Sequence, residues 1–355
     1  MMLDVKICDP SVDEHWDHFV ANHPFGWICQ MRVWKEIIED SFKHLKPRYL
    51  CLREKATGSI RAALPLFHVN SWITGNRLVS LPFATLCDPL VNSRDEFIQL
   101  SDAAMTLKEK TGCKYLEIRI FQAGKFVSDC HMCIKGSYKH HYIALNKSTH
   151  ELMNSFHRTT VQQRIRKAEK VGLEVYEAQG EADVEEFYRL HVNSRRRLLL
   201  PPHPYTFIRN IWQKLQPLGM ISLLLAKKDG RNVAAIMCFK FKGRVSCEYS
   251  VVDDRFMHLK PNHLLFWIAI KNAKQEGYSV FDFGRTPTQH QGLIDFKRRW
   301  GTREIDLAQI FFPESMACRL TDYGGFRRKI VMGLCKRIPG RAFCNLGNFC
   351  YRHLG

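Results

Sequence analysis

Residues 281–301 read FDFGRTPTQHQGLIDFKRRWG and gather a carboxylate, glycines, aromatic rings and the cations Arg285, Lys297, Arg298 and Arg299 just after an apolar strand. Loops at strand ends are where binding and catalytic groups concentrate. Strand alternation puts Phe281 and Phe283 on one face and Asp282 on the other, so Asp282 either projects into a cleft or pairs with Arg285. Gly284 lets the backbone turn sharply or come close to a ligand. Lys297 precedes two arginines, which either depress its pKa or join it in holding an anion; the plainer reading is a solvated basic turn. Such a set can hold an anion or a developing negative charge through position and charge alone.

A second basic cluster, Arg195, Arg196 and Arg197, ends a helical pattern before Pro201, Pro202 and Pro204. Prolines stop the helix there, and cations suit its last turn. The functional alternative is that Arg195 and Arg196 grip phosphate or carboxylate through paired contacts. No G-x-S-x-G, Walker loop or Rossmann glycine triplet is present, which counts against hydrolysis but not against transfer. The sixteen histidines, His140, His141 and His203 among them, are scattered and read as ordinary surface or core residues. Thirteen cysteines include one C-x-x-C, Cys130 and Cys133, with no second pair at zinc spacing, so no metal site is expected and buried, reduced thiols are.

The elements that must position these groups fill 355 residues, long for one core and better read as two domains. With 53 basic against 35 acidic residues, the formal charge of +18 favours nucleic acid, phosphorylated carriers or an anionic membrane surface, unless the basic surface has no partner at all. The acidic amino terminus, broken by Pro10, is unlike a secretory signal, and the most apolar run, HLLFWIAI, is too short to span a bilayer. A cytoplasmic protein is expected, with a place at the inner face of the membrane if the tail binds there. That tail carries Phe326, Ile330, Leu334 and Ile338 at i, i+4 spacing among basic residues; residues 324–355 would either lie on a membrane or dock on the protein's own body.

In the second half, a strand at 173–178, helices near 181–199 and 204–217, three strand-like runs joined by Asp229-Gly230 and Lys242-Gly243, a helix at 261–276, the strand before Gly284, a loop and a last strand follow in order. That order predicts an α/β (α+β) domain with a mixed, mostly antiparallel central sheet flanked by helices. The first half looks like a worn copy: Gly112 and Gly277 each end a helix, and Glu117 and Asp282 each lie five residues on. The expected boundaries are 1–146 for a degenerate copy, 147–172 for a helical connector with a basic face, 173–317 for the catalytic domain, and 318–355 for a basic amphipathic helical tail.

The stretches RLVSLPF (77–83), YLEIR (115–119), RIRKAEKVGLEV (164–175), FYRLHVNSRRRLLLPPHP (187–204) and the opening 281–301 together resemble the FemAB-related branch of the GNAT-like acyltransferases. The likeness is strongest to the subgroup found with bacterial exosortase and exopolysaccharide systems, and it spans most of the chain. It implies tandem GNAT-like domains and transfer of an acyl or aminoacyl group to an amine or hydroxyl of a cell-envelope or polysaccharide precursor. The peptidoglycan enzymes of the family build cross-bridges from aminoacyl-tRNA, and a Phe-Lys pair after their last glycine-rich loop is tied to catalysis. The matching positions are Phe296 and Lys297: Lys297 would stabilise the developing oxyanion or the carrier's phosphate, with Asp282 and Arg285 shaping the cleft. Where acetyl-coenzyme A enzymes of this fold carry a glycine-rich pyrophosphate loop, this chain reads DDRFMHLKPNHLL. Acyl-coenzyme A and aminoacyl-tRNA therefore both stand as donor substrates, and the helix beginning near Pro261, with Asn262 in its first turn, offers amides to an anion. The alternative is a tRNA- or polyanion-binding module that keeps the fold without turnover.

Overall fold

The computed structural model describes residues 3–127, 133–313, 315–316 and 329–354. The chain divides into two compact units, Met1–Ser137 with Leu307–Val331 and Asn345–Gly355, and Tyr138–Asp306 with Met332–Cys344.

In the second unit the strands lie in the order 138–144, Val280–Pro287, Arg244–Val252, Arg231–Phe241, Ile221–Lys228 and Glu174–Glu177. The last four form an antiparallel meander. Its turns put both Asp229-Gly230 and Lys242-Gly243 in the left-handed region, the geometry that matches strand twist in two-residue hairpins. Arg244–Val252 and Val280–Pro287 run parallel, linked by the helix Pro261–Gln275. Proline at its first position suits a site where no backbone donor is needed. That helix buries Leu265, Ile270 and Ala273 against Phe281 and Trp300.

The first unit has a small antiparallel sheet of Leu3–Cys8, Tyr49–Glu54 and Ile60–Leu64. Beside it, Leu66–Val69, Arg77–Ser80 and Tyr115–Ile120 pair in turn, and residues 308–312 follow on Tyr115–Ile120. Arg77–Ser80 and Tyr115–Ile120 are parallel, linked by the helix Arg94–Lys110, whose Phe97, Leu100 and Ala104 face Leu78, Leu116 and Ile118. Each unit thus carries the strand–helix–parallel strand core expected of a duplication, and Gly112 and Gly277 follow the two linking helices as the spacing predicts.

Five expectations are corrected. The first unit ends at Ser137 rather than 146, because residues 138–144 are a strand partner of Val280–Pro287, with Ala144 opposite Val280 and Tyr138 opposite Pro287. The segment 147–172 is no free connector: Leu152, Val161, Ile165 and Ala168 are part of the second unit's core. What reads as a loop holds a helix, Gln291–Arg298, with Ile294 and Lys297 buried on one face. Cys8 and Cys51 are bonded, joining paired strands, so not every thiol is free; Cys130 of the C-x-x-C lies outside the described residues. The tail is no single helix, since helical residues 329–337 and the helix Gly340–Tyr351 are separated at Ile338-Pro339. Phe326 lies outside the described residues, and Ile330 and Leu334 are exposed. No helix among the described residues is long and apolar enough to cross a membrane.

Candidate active site

The parallel pairing in the second unit runs from Arg244 opposite Val280 to Ser246 opposite Asp282 and stops there. At that point both strands are irregular. On one, Cys247 and Tyr249 oppose the neighbouring Cys238 and Met237, so Glu248 is the extra residue of a bulge. On the other, the register with 138–144 shifts between Asp282 and Arg285. Gly284 sits in this break at φ +71°, and a Cβ there would lie 3.3 Å from the Cys247 carbonyl oxygen. Bulges beside functional sites re-aim side chains and release ladder groups.

Asp282 is wholly buried and pairs with neither a cleft nor Arg285. Its Oδ2 lies 2.9 Å from His140 Nε2 and 3.0 Å from Arg244 Nη1, and its Oδ1 accepts the Gly284 N–H at 2.6 Å. Burial alone would raise its pKa, but His140, Arg244 and the Gly284 amide hold the carboxyl below its ordinary value. Arg285 instead lies 4.8 Å over the Tyr138 ring.

Lys297 comes back into this break from the helix Gln291–Arg298, 5% exposed. Its Nζ donates to the Gly284 carbonyl at 2.8 Å and to the Arg285 carbonyl at 3.3 Å, the oxygens next to the bulge. Burial pushes its pKa down to about 8, against the opposing pull of Asp282, Cys247 and Glu248. The depression expected from neighbouring charge therefore has another cause, desolvation; Arg298 and Arg299 are exposed, and Arg298 pairs with Glu304 and, at 3.7 Å, with Asp295. An ammonium has three N–H donors, and two are directed at carbonyls. His141, wholly buried, approaches Thr302 at 3.5 Å, and its pKa is pushed down to about 4 by burial and then by Lys297, so it is neutral. Cys247 is no nucleophile, since burial and then Cys238 push its thiol well above the ordinary value.

The remaining predicted residues fall elsewhere. Phe296, partly buried, packs against the core on His263, Phe266 and Trp300 at ring distances of 5.6, 6.0 and 6.3 Å. Arg195 donates to the Pro201 carbonyl at 3.0 Å. Arg196 donates to the Ile338 carbonyl at 2.8 Å and lies 4.3 Å over the Phe343 ring, so this pair ties down its own chain. Asn262 stands in the first turn of its helix with Oδ1 buried and unpartnered among the described residues. Sequence reasoning missed His140, Arg244 and Glu248. The strand RVSCEYSVV did hold a signal, because Arg244 and Ser246 alternate as polar residues within a buried strand. Nothing in the sequence tells His140 from its neighbour His141. Among the described residues, no three His, Cys, Asp or Glu side chains are grouped to hold a metal ion.

The fold is shared with known proteins. Residues 155–298 match the acetyltransferase (GNAT) domain family. A crystal structure of FemX aligns over 86% of this chain and 96% of its own, with TM-score 0.69 and 16% identity. A tandem GNAT protein from the clavulanic acid biosynthesis pathway aligns over 87% and 97%, at 0.56 and 12%. The structure of L-PGS from Bacillus licheniformis aligns over 86% and 96%, at 0.53 and 12%. No curated protein matches the sequence. Residues 155–298 are thus similar to a GNAT acetyltransferase domain, and the chain shares its fold with FemX and with a tandem GNAT protein. Its tandem GNAT-like architecture is consistent with a FemAB-like member of that family, as the motifs imply.

Proposed function

We propose that the break between the two parallel strands is the acyl-transfer centre and that Lys297 is its catalytic cation. The observation that carries this is the placement of its Nζ: buried, held by the Gly284 and Arg285 carbonyls, with one donor direction left over. An acceptor amine or hydroxyl attacks the acyl carbonyl, its carbonyl electrons become an oxyanion, and the carrier departs as that oxyanion collapses. A preorganised, desolvated ammonium stabilises that oxyanion more than it stabilises the neutral carbonyl. Asp282 acts through position: by fixing the Gly284 amide it sets where the Gly284 and Arg285 carbonyls, and hence Lys297, stand. Glu248, whose charge acts on Lys297 from the bulge, is the carboxylate to which the acceptor's proton is assigned.

The donor is acyl-coenzyme A or aminoacyl-tRNA, with Asn262 and the first turn of the helix Pro261–Gln275 taking its phosphates. Domain roles follow the same reading, with the second unit catalytic and the first a degenerate copy. The acceptor we assign is a cell-envelope or polysaccharide precursor, handled in the cytoplasm at the inner face of the membrane; the FemX alignment and the family motifs support that class. The test incubates the protein and its Lys297→Ala variant with acetyl-coenzyme A or charged tRNA and a pool of envelope precursors. Transfer lost with donor binding kept is the expected result, and unchanged transfer ends the role of Lys297. Binding of tRNA by the unaltered protein, with no product from either donor, would favour a polyanion-binding module.

A further inference from the structure

Of the seven tryptophans, six are at most 7% exposed, while Trp72 is 83% exposed. It stands in the first unit on the loop before Arg77–Ser80, edge-on to His353 at 5.4 Å. Phe349, 47% exposed, meets the same His353 ring from its other neighbour at 5.1 Å, and Leu354 is 41% exposed beside it in sequence. These side chains are not at the end of a loose tail. Ser71 Oγ lies 3.0 Å from His353 Nδ1; Thr74 Oγ1 and Arg77 Nη2 donate to the His353 carbonyl at 2.8 and 3.3 Å; and His44 Nε2 donates to the Leu354 carbonyl at 3.2 Å. Tyr351, 5% exposed, is packed 5.5 Å from Phe83. The polar backbone is thus pinned inward while an indole, a phenyl ring and an isobutyl group are left facing water.

The fringe of this patch is cationic. Arg352 is exposed, and Lys114 arches over the same loop, its Cδ 3.2 Å from where a Cβ of Gly75 would stand. Burial and then the positive charge of Arg352 and Arg77 hold the His353 ring below its ordinary pKa, which shows the sign of the local field. Tryptophan with neighbouring aliphatic and aromatic groups suits the boundary between headgroups and acyl chains, and nearby Arg and Lys add attraction to anionic lipid.

We propose that Trp72, Phe349 and Leu354, with Arg352 and Lys114 at their rim, form the surface by which this protein docks on an anionic lipid bilayer. This places the anchor at a tryptophan outside the tail and at the far end of residues 324–355, rather than on the Ile330 and Leu334 stripe. It takes its setting from the envelope-precursor reading, but the test involves no transfer, so either can fail alone. The full chain is mixed with phosphatidylcholine vesicles with and without phosphatidylglycerol, carrying brominated acyl chains, and tryptophan emission is followed. Quenching and co-sedimentation are expected only with phosphatidylglycerol. Trp72→Ala should abolish the quenching while its thermal unfolding matches the parent. Arg352→Ala should weaken vesicle binding about fivefold, and added salt should weaken it further. Absence of quenching by anionic vesicles, or equal quenching in Trp72→Ala, overturns the proposal. So does quenching of Trp72 by tRNA without any by vesicles, which would reassign the surface to nucleic acid.

Discussion

The two parallel strand pairs, one in each unit, begin alike and end differently. Each is three residues long: Arg77 to Val79 against Tyr115 to Glu117, and Arg244 to Ser246 against Val280 to Asp282. Each starts with an arginine and closes on a carboxylate. In the first unit the strand then continues, and Ile118 and Arg119 pair with Ile310 and Gln309. Glu117, also buried, is held by Arg119 and Gln309, both at 2.9 Å, beside an unbroken ladder. In the second unit the ladder breaks at Gly284, and the carbonyls beside the break are met by the Lys297 ammonium. On the proposed reading, one architecture serves as scaffold in the first unit and as site in the second, and the difference between them is whether the ladder after the carboxylate is continuous.

The contrast is sharpest at the two carboxylates. Asp282→Ala removes the buried carboxylate shared by His140, Arg244 and the Gly284 amide, and breaking such a buried pair costs about 3–5 kcal/mol. Urea unfolding should show that loss, and a cost below about 1 kcal/mol would mean that water already reaches the pair. The glycines come next. Gly284→Ala places a methyl in the left-handed region against the Cys247 carbonyl and should cost about 1–2 kcal/mol. It should also slow transfer, by displacing the carbonyl that holds Lys297. Gly112→Ala, at φ +62° with nothing within 4 Å, should carry similar backbone strain and leave the transfer rate unchanged. Equal kinetic effects of the two would erase the distinction between site and scaffold. Smallest is Glu117→Gln, which keeps a partner for Arg119 and Gln309; a change near 1 kcal/mol or less in unfolding and none in rate is expected.

Much of this was legible in the sequence. The five-residue spacings from Gly112 to Glu117 and from Gly277 to Asp282 located both carboxylates, because a helix end and a buried strand fix the register between them. The motif around Lys297 located the amine. Its helix was hidden because Gln291–Arg298 is short and its buried face consists of Ile294 and a lysine, which breaks the apolar period. His140 was hidden for a different reason. It reaches Asp282 from a strand more than a hundred residues earlier in the chain, and no local pattern marks such a pairing. The arginines at 195 and 196 misled because a cation that holds a carbonyl of its own chain looks, in sequence, like one that waits for a ligand.

The central claim is that the Lys297 ammonium, and not the scaffold alone, drives transfer. It is tested most directly by single-turnover transfer from bound donor at pH values on both sides of 8, in the unaltered protein and in Lys297→Met, which keeps the buried stem. Lys297 carries its proton below about 8 and loses it above, so the stabilising charge is present at the lower pH and the rate should fall as pH rises through that value. Lys297→Met should be slower by about 10²–10³-fold, with that fall absent. A Lys297→Met rate equal to the parent's, or a parent rate that keeps climbing through pH 8, would contradict the account.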